Sequence, residues 1–176
     1  MNLSETWGTT AGERQLEFPC DESLARIDAQ LFRGITINTS PDVVFRWLCQ
    51  LRVAPYSYDW IDNGGQQSPQ QLIPGLDQIE IGQDVMTIFT LESFIPNEHL
   101  TIRLKPSRRA TSIFGNIAVS YLIIRQAENV CRLLVKLVVE YPSTWKGRLL
   151  RSFLPWGDLV MMRRQLLNLK QLAEAS

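Results

Sequence analysis

The chain has 176 residues, of which 45% are hydrophobic and 20% charged, with 18 basic side chains against 18 acidic ones. This length fits one domain with a sizeable core, and the composition excludes a disordered protein. No apolar run approaches the ~20 residues of a transmembrane helix, the first residues lack a secretory apolar region, and the three cysteines fit neither a disulfide framework nor a zinc site. We therefore expect a cytoplasmic protein without a metal.

The acidic and basic residues are unevenly distributed along the chain. Residues 1–100 have a net charge of −9, and residues 101–176 have a net charge of +9. Such an asymmetry is typical of proteins that contact a nucleic acid or a membrane. The basic residues form no stripe with stacking aromatics, so we expect no nucleic-acid partner. Dinucleotide-binding and phosphate-binding glycine motifs are also absent, so no cofactor is predicted.

Residues 1–27 show no periodicity, and we interpret them as a flexible N-terminal arm before a single domain that spans 28–176. The domain begins with a strand over 31–38, where side chains alternate between two faces. Ser40 and Pro41 then predict the N-cap and the first residue of a short helix. A second short helical or irregular segment follows over 55–63.

From Gly75 onwards the pattern takes a period of two, which indicates antiparallel strands. The predicted strands are 85–94, 99–105, 117–125 and 131–141. On the last of them Leu133, Val135 and Leu137 form one apolar face, and Lys136 lies on the other.

The chain closes with an amphipathic helix. Its apolar side chains recur three and four residues apart, as one helical face requires: Leu159, Met162, Leu166, Leu169 and Ala173. A sheet that is apolar on one face needs a cover, and this helix is the only long amphipathic element available. The order of elements predicts an α+β fold in which the helix covers an antiparallel sheet.

Three stretches of this pattern match a known superfamily: residues 33–48, residues 52–64, and the terminal helix after 155–158. Together they resemble the helix-grip or SRPBCC superfamily, which includes START-like lipid-transfer domains, birch-pollen-allergen-like proteins and polyketide cyclases. The resemblance implies a curved antiparallel sheet wrapped around a long C-terminal helix, with two short helices after the first strand. It also implies a cavity between sheet and helix that binds a hydrophobic small molecule or lipid.

The walls of such a cavity can be assigned from the apolar faces and the aromatic residues. The candidate ligand-binding residues are Arg33, Trp60, Phe89, Leu91, Tyr121, Leu133, Val135, Leu137, Met162 and Leu166. The alternative is that these side chains are ordinary core, because protein interiors are close-packed. Arg33 is in phase with Ile35 and Ile37, which aims it at the core side, where a charge needs a partner. It would bind a ligand carboxylate, pair with a local acid, or lie near solvent at the end of its strand.

Polar chemistry is densest over 56–62, where two tyrosines and two aspartates lie close together. Tyr56, Tyr58 and Asp59 are candidates for catalytic residues, because phenols and carboxylates beside a pocket can act as acid and base. They would make the protein an enzyme similar to polyketide cyclases or dehydratases. The alternative is an aromatic patch that closes one end of the core, with solvated aspartates. Whether the protein is an enzyme stays open.

Residues 145–156 interleave three cations with six large apolar side chains. This composition suits a membrane interface, where Trp lies among the head groups and Lys or Arg meets anionic lipid. A peripheral membrane lipid carrier that docks through this segment is therefore a further hypothesis. The alternative is the lead-in to the terminal helix, with its apolar side chains packed and its cations in water. The oligomeric state stays open.

Overall fold

The chain folds into one antiparallel sheet with helices before, within and after it, as seen in a computed structural model that describes residues 2–58, 60, 64–106, 115–143 and 145–176. In chain order the elements are α1 (Leu3–Thr6), β1 (Ala29–Ile37), α2 (Pro41–Cys49), β2 (Asp84–Val85), β3 (Phe89–Ile95), β4 (His99–Leu104), β5 (Asn116–Ala127), β6 (Val130–Glu140) and α3 (Trp145–Glu174). Short 3₁₀ turns lie at Glu13–Gln15, Pro19–Glu22 and Gln50–Arg52.

The six strands pair in the order β1-β6-β5-β4-β3-β2, and the sheet curves around α3. Arg33 of β1 lies opposite Val135 of β6, which in turn lies opposite Tyr121 of β5. Directly opposed residues share one face of a sheet, so these three side chains point toward α3. The strand predicted over 85–94 is divided, because Met86 and Thr87 have positive φ angles of 46° and 65° and turn the chain between β2 and β3.

The helices confirm the predicted order but differ in their bounds. α2 begins at Pro41 behind Ser40, as predicted. The helical segment predicted over 55–63 includes residues 59 and 61–63, which lie outside the described residues. α3 begins at Trp145, earlier than predicted, because Pro155 is buried inside the helix rather than marking its start. Residues 145–156 therefore form the first turns of α3.

The sheet carries an apolar layer on each face. The main core lies between the concave face, α2 and α3, and includes Leu31, Trp47, Ile102, Leu133 and Leu166. A second cluster lies on the opposite face, where side chains of the N-terminal segment pack on the sheet: Phe18, Cys20 and Leu24 on Phe32, Ala118, Leu134 and Val138. The interpretation of residues 1–27 as a flexible arm, and the boundary at residue 28, stay predictions.

Lys136 lies on the face opposite Val135, as the alternation predicted, but that face is not open to solvent. Its ammonium is buried, pairs with Asp21, and lies 5.4 Å from the ring centre of Phe18 and 5.2 Å from that of Phe32. The long apolar stem and the aromatic rings make such a position acceptable for one cation. The outer face is thus covered by residues 18–24, which the strand pattern alone could not indicate.

Candidate functional site

A cavity of about 150 Å³ lies between α3 and the concave face of the sheet. Four predicted ligand-binding residues line it: Phe89, Tyr121, Leu137 and Met162. Four others are buried in the core around it: Leu91, Leu133, Val135 and Leu166. The remaining lining residues are Pro55, Ser57, Met86, Ile102, Val119, Asp158, Met161 and Gln165. For the eight predicted residues, a role in ligand binding stays a prediction.

The two-residue period of the strands and the three- to four-residue period of α3 direct these side chains into the cavity. Val119 and Tyr121 are two residues apart on β5, so both point to the concave face. Asp158, Met162 and Gln165 are separated by four and then three residues on α3, so they lie on one face of the helix. Sheet and helix therefore each contribute a mainly apolar wall with a few polar groups.

A hydrogen-bonded chain crosses one side of the cavity. The hydroxyl of Tyr121 donates to Oε1 of Gln165 over 2.9 Å, and Nε2 of Gln165 donates to the carbonyl oxygen of Pro55 over 2.6 Å. Burial raises the pKa of Tyr121, so the phenol keeps its proton. The chain ties α3 to β5 and to the segment after α2, and it therefore fixes how close the helix lies to the sheet.

A buried ion pair lies at the same wall of the cavity. Nη2 of Arg33 lies 2.6 Å from Oδ2 of Asp158, and the two side chains are only 1% and 8% exposed. The guanidinium also donates to the carbonyl oxygens of Ser4 and Phe32, each over 2.8 Å. Arg33 thus points inward and pairs with an acid. From the sequence, a local acid was one expected partner, whereas the partner in the structure is 125 residues away in the chain. The alternative that placed Arg33 near solvent is wrong.

Burying this ion pair is electrostatically costly. Burial raises the pKa of Asp158 to about 6, although Arg33 opposes the shift, and burial lowers the pKa of Arg33. Both directions mean that loss of hydration outweighs the attraction between the partners. Because apolar residues of similar volume are often at least as stable in such a position, a gain in stability does not by itself explain the pair.

Asp158 is expected to make the stability depend on pH. A carboxyl whose pKa is raised in the folded state holds its proton more tightly there, so its contribution to the free energy of unfolding falls as pH rises from about 4 to about 6. The expected loss is on the order of 2 kcal/mol. Urea unfolding of the wild type and of Asp158→Asn over this range measures it. A difference between the two proteins that stays constant with pH would contradict the assignment.

Two of the three predicted catalytic residues, Tyr56 and Tyr58, line a second, more polar cavity of about 440 Å³. Tyr56 is buried, with its ring centre 5.9 Å from that of Trp47 and the planes at 87°. Tyr58 is half-buried. Trp60 is 76% exposed and lines this second cavity, not the one between α3 and the concave face of the sheet. Asp59 lies outside the described residues. α3 supplies the other wall of this second cavity through Arg164, Asn168, Gln171 and Leu172.

Sequence reasoning missed three polar residues of the first cavity, Ser57, Asp158 and Gln165. For Asp158 a signal was present, because it is the single acid between residues 145 and 173. It is also in phase with Met162 and Leu166, on the face that was predicted to be apolar. A lone acid on the buried face of a helix, together with an inward arginine on a strand, predicts a buried pair.

Neither a metal centre nor a membrane span is found in the part of the chain that the structure describes. No group of three His, Cys, Asp or Glu side chains there could hold a metal ion. No helix among the same residues is both long and apolar enough to cross a bilayer.

Similarity to known proteins is found in structure and not in sequence, since no protein-family model and no curated protein matches the chain. The Zhui aromatase/cyclase from Streptomyces sp. R1128 superposes with a TM-score of 0.54 at 12% identity, over 82% of this chain and 93% of that one. The di-domain aromatase/cyclase BexL from the BE-7585A biosynthetic pathway gives 0.53 at 12% identity, over 82% and 46%. A protein from Mesorhizobium loti gives 0.52 at 14% identity, over 84% and 98%.

These similarities and the strand order define the class of fold: the chain has a helix-grip fold, as the resemblance predicted. At such low identities the likeness concerns the fold alone.

Proposed function

We propose that the protein binds a small hydrophobic molecule with one polar group in the cavity under α3. The observation that carries this proposal is a buried carboxylate, that of Asp158, in an otherwise mainly apolar wall. Ligand sites typically combine apolar walls with a few polar groups that fix the orientation of the ligand. A hydroxyl or amine on the ligand would donate to Asp158, while its apolar body would contact Phe89, Ile102 and Met162.

The size of the cavity limits the ligand. A space of about 150 Å³ accommodates one aromatic ring, whereas pockets for larger ligands begin near 300 Å³. Met86, Met161 and Met162 line the cavity, and methionine changes rotamer more readily than branched side chains. The favoured ligand is therefore a single substituted ring, with larger rings admitted as the methionines rearrange.

Titration with p-cresol and p-xylene tests this proposal, because the two molecules have the same shape and differ by a hydroxyl in place of a methyl group. The methionine methyl signals in NMR spectra report binding directly. We expect p-cresol to bind about tenfold more tightly, since its hydroxyl donates to a buried charged acceptor.

The matched control uses two tryptophan substitutions on the same helix. Met162→Trp fills the cavity and should abolish binding of both molecules, whereas Val160→Trp lies on the exposed side of α3 and should leave binding unchanged. Equal binding by the two variants, or no preference for p-cresol, would contradict the proposal.

A second candidate function, an enzyme that moves protons in the manner of a cyclase or dehydratase, is favoured by the raised pKa of Asp158. A carboxyl with a pKa of about 6 beside a cavity can take up and return a proton near neutral pH. The ionised carboxylate would remove an α-proton from a bound ketone that contains an aromatic ring, leaving an enolate, and would return a proton to the same carbon. Tyr56 and Tyr58, which line the second cavity, are the rival candidates for this role, together with Asp59, which lies outside the described residues.

Exchange of the α-protons of 2-tetralone in D₂O, followed by NMR, tests the enzymatic alternative. Asp158→Asn should abolish the protein-dependent exchange if this carboxylate is the base. Loss of exchange in Tyr58→Phe but not in Asp158→Asn would assign the chemistry to the second cavity instead. Exchange no faster than in buffer alone would overturn the enzymatic alternative and leave ligand binding as the function.

A further inference from the structure

The first half of α3 presents a row of exposed apolar side chains. Five positions separated by four, four, three and four residues have large exposed fractions: Trp145 68%, Leu149 52%, Phe153 70%, Trp156 55% and Val160 53%. This spacing places them on one face of the helix, and we name them the outer stripe of α3. The opposite face packs on the body of the protein through Leu150, Leu154, Pro155, Leu159 and Met162.

Exposed cations flank the outer stripe. Between residues 145 and 164 the chain has five basic residues and a single acid, Asp158, whose side chain is buried. Arg148, Arg151, Arg163 and Arg164 are exposed. Two of them are held against aromatic rings: Arg151 lies 5.2 Å from the ring centre of Tyr141, and Arg163 lies 5.7 Å from that of Trp7. Arg151 also pairs with Asp28 over 3.5 Å, so the excess positive charge beside the stripe comes from Arg148, Arg163 and Arg164.

We propose that the outer stripe of α3 docks the protein on an anionic lipid surface. Aromatic rings that project between arginines fit the boundary between head groups and acyl chains, where Trp and Phe enter and the cations meet lipid phosphates and carboxylates. The charge of the surface selects anionic lipid over neutral lipid. Since the inner face of α3 is already packed, the helix docks as part of the folded domain and does not insert alone.

Docking in this orientation sets one wall of the cavity beside the lipid. Trp156 and Val160 of the stripe lie on the same helical turns as Asp158, Met161 and Met162, which line the cavity. A hydrophobic ligand would then pass between bilayer and cavity across one layer of helix side chains. The docking itself does not depend on the proposed ligand, so Met162→Trp should dock like the wild type.

Flotation with vesicles of phosphatidylcholine, with and without phosphatidylserine, tests the docking. The wild type should float with the vesicles that contain phosphatidylserine, and added salt should weaken this binding. Phe153→Ser should lower the partition coefficient about tenfold, because a large exposed ring no longer enters the interface. Arg148→Gln should lower the partition coefficient about fivefold, because the attraction of one cation to the anionic lipid surface is lost.

Two variants elsewhere on the surface serve as matched controls. Ile81 is 69% exposed, nearly the same as Phe153, and Arg125 is an exposed arginine at the end of β5. Ile81→Ser and Arg125→Gln should bind vesicles like the wild type. Equal losses in these controls, or absence of flotation with both kinds of vesicle, would overturn the proposal. A dimer in sedimentation that Phe153→Ser dissociates, without flotation, would assign the stripe to self-association and would also overturn it.

Discussion

Replacing Arg33 with methionine is expected to lower the free energy of unfolding by about 3–5 kcal/mol at neutral pH. Methionine keeps much of the apolar stem but leaves the carboxylate of Asp158 buried without its cation. The carbonyl oxygens of Ser4 and Phe32 lose their donor at the same time. A buried acceptor without a partner adds to the cost, so the variant loses more than one interaction.

The double variant Arg33→Met/Asp158→Leu separates the charge effect from packing. With no buried charge left, it should recover most of the loss, because replacing a whole buried pair is commonly neutral or stabilising. Chemical denaturation of the two variants and of Arg103→Met measures these differences. Arg103 is 47% exposed and pairs with Glu92 over 3.6 Å, so its replacement should cost less than about 1 kcal/mol. A loss in Arg33→Met no larger than in Arg103→Met would contradict the role of the pair.

The fold was largely predictable from the sequence, because its main elements are regular. Alternation over Cys131–Tyr141 and the Ser40-Pro41 helix start both depend on neighbouring residues, which a sequence displays directly. The division between β2 and β3 was not predictable, because it depends on positive φ angles at Met86 and Thr87, residues that carry no turn signal. The early start of α3 was missed because Pro155 usually marks a helix boundary.

The site was predictable only in its apolar part. Strand and helix periodicity identified Tyr121 and Met162 as residues of the cavity wall, but it could not show how much space remains between them. The inward direction of Arg33 followed from alternation, whereas its partner did not, since Asp158 is joined to it through tertiary packing over 125 residues. Long-range pairs of this kind are visible in a sequence only as two isolated exceptions to a pattern.

The N-terminal segment is the clearest case of tertiary contacts that the sequence pattern does not show. It lacks periodicity because it consists of short helical turns, and absence of periodicity was interpreted as flexibility. In the structure its main chain contacts both β1 and β6. The amide of Gly34 on β1 donates to the carbonyl oxygen of Trp7 over 3.1 Å, and Arg132 on β6 donates to the carbonyl oxygen of Gly8 over 2.7 Å. Such contacts predict that the segment contributes to the stability of the whole domain.

Gly8→Ala is therefore expected to lower the free energy of unfolding by about 3 kcal/mol or more. Gly8 has a φ of 75°, a conformation that is strained for alanine, and a Cβ there would overlap the carbonyl oxygen of Gly34. Because the neighbour is main chain of a paired strand, it cannot move aside without breaking the contact between the segment and β1. Chemical denaturation measures the loss, and limited proteolysis within residues 1–27 should accelerate in parallel.

Gly12→Ala is the matched control, since the same change occurs four residues away in the same segment. Gly12 has a φ of −66° and open space around its Cα, so alanine there should be neutral or stabilise by up to about 1 kcal/mol. If residues 1–27 are a flexible arm, both variants should unfold like the wild type, and the boundary at residue 28 stands. If Gly8→Ala alone destabilises, the domain begins at α1, and Ser4, which binds Arg33 through its carbonyl oxygen, belongs to the surroundings of the cavity.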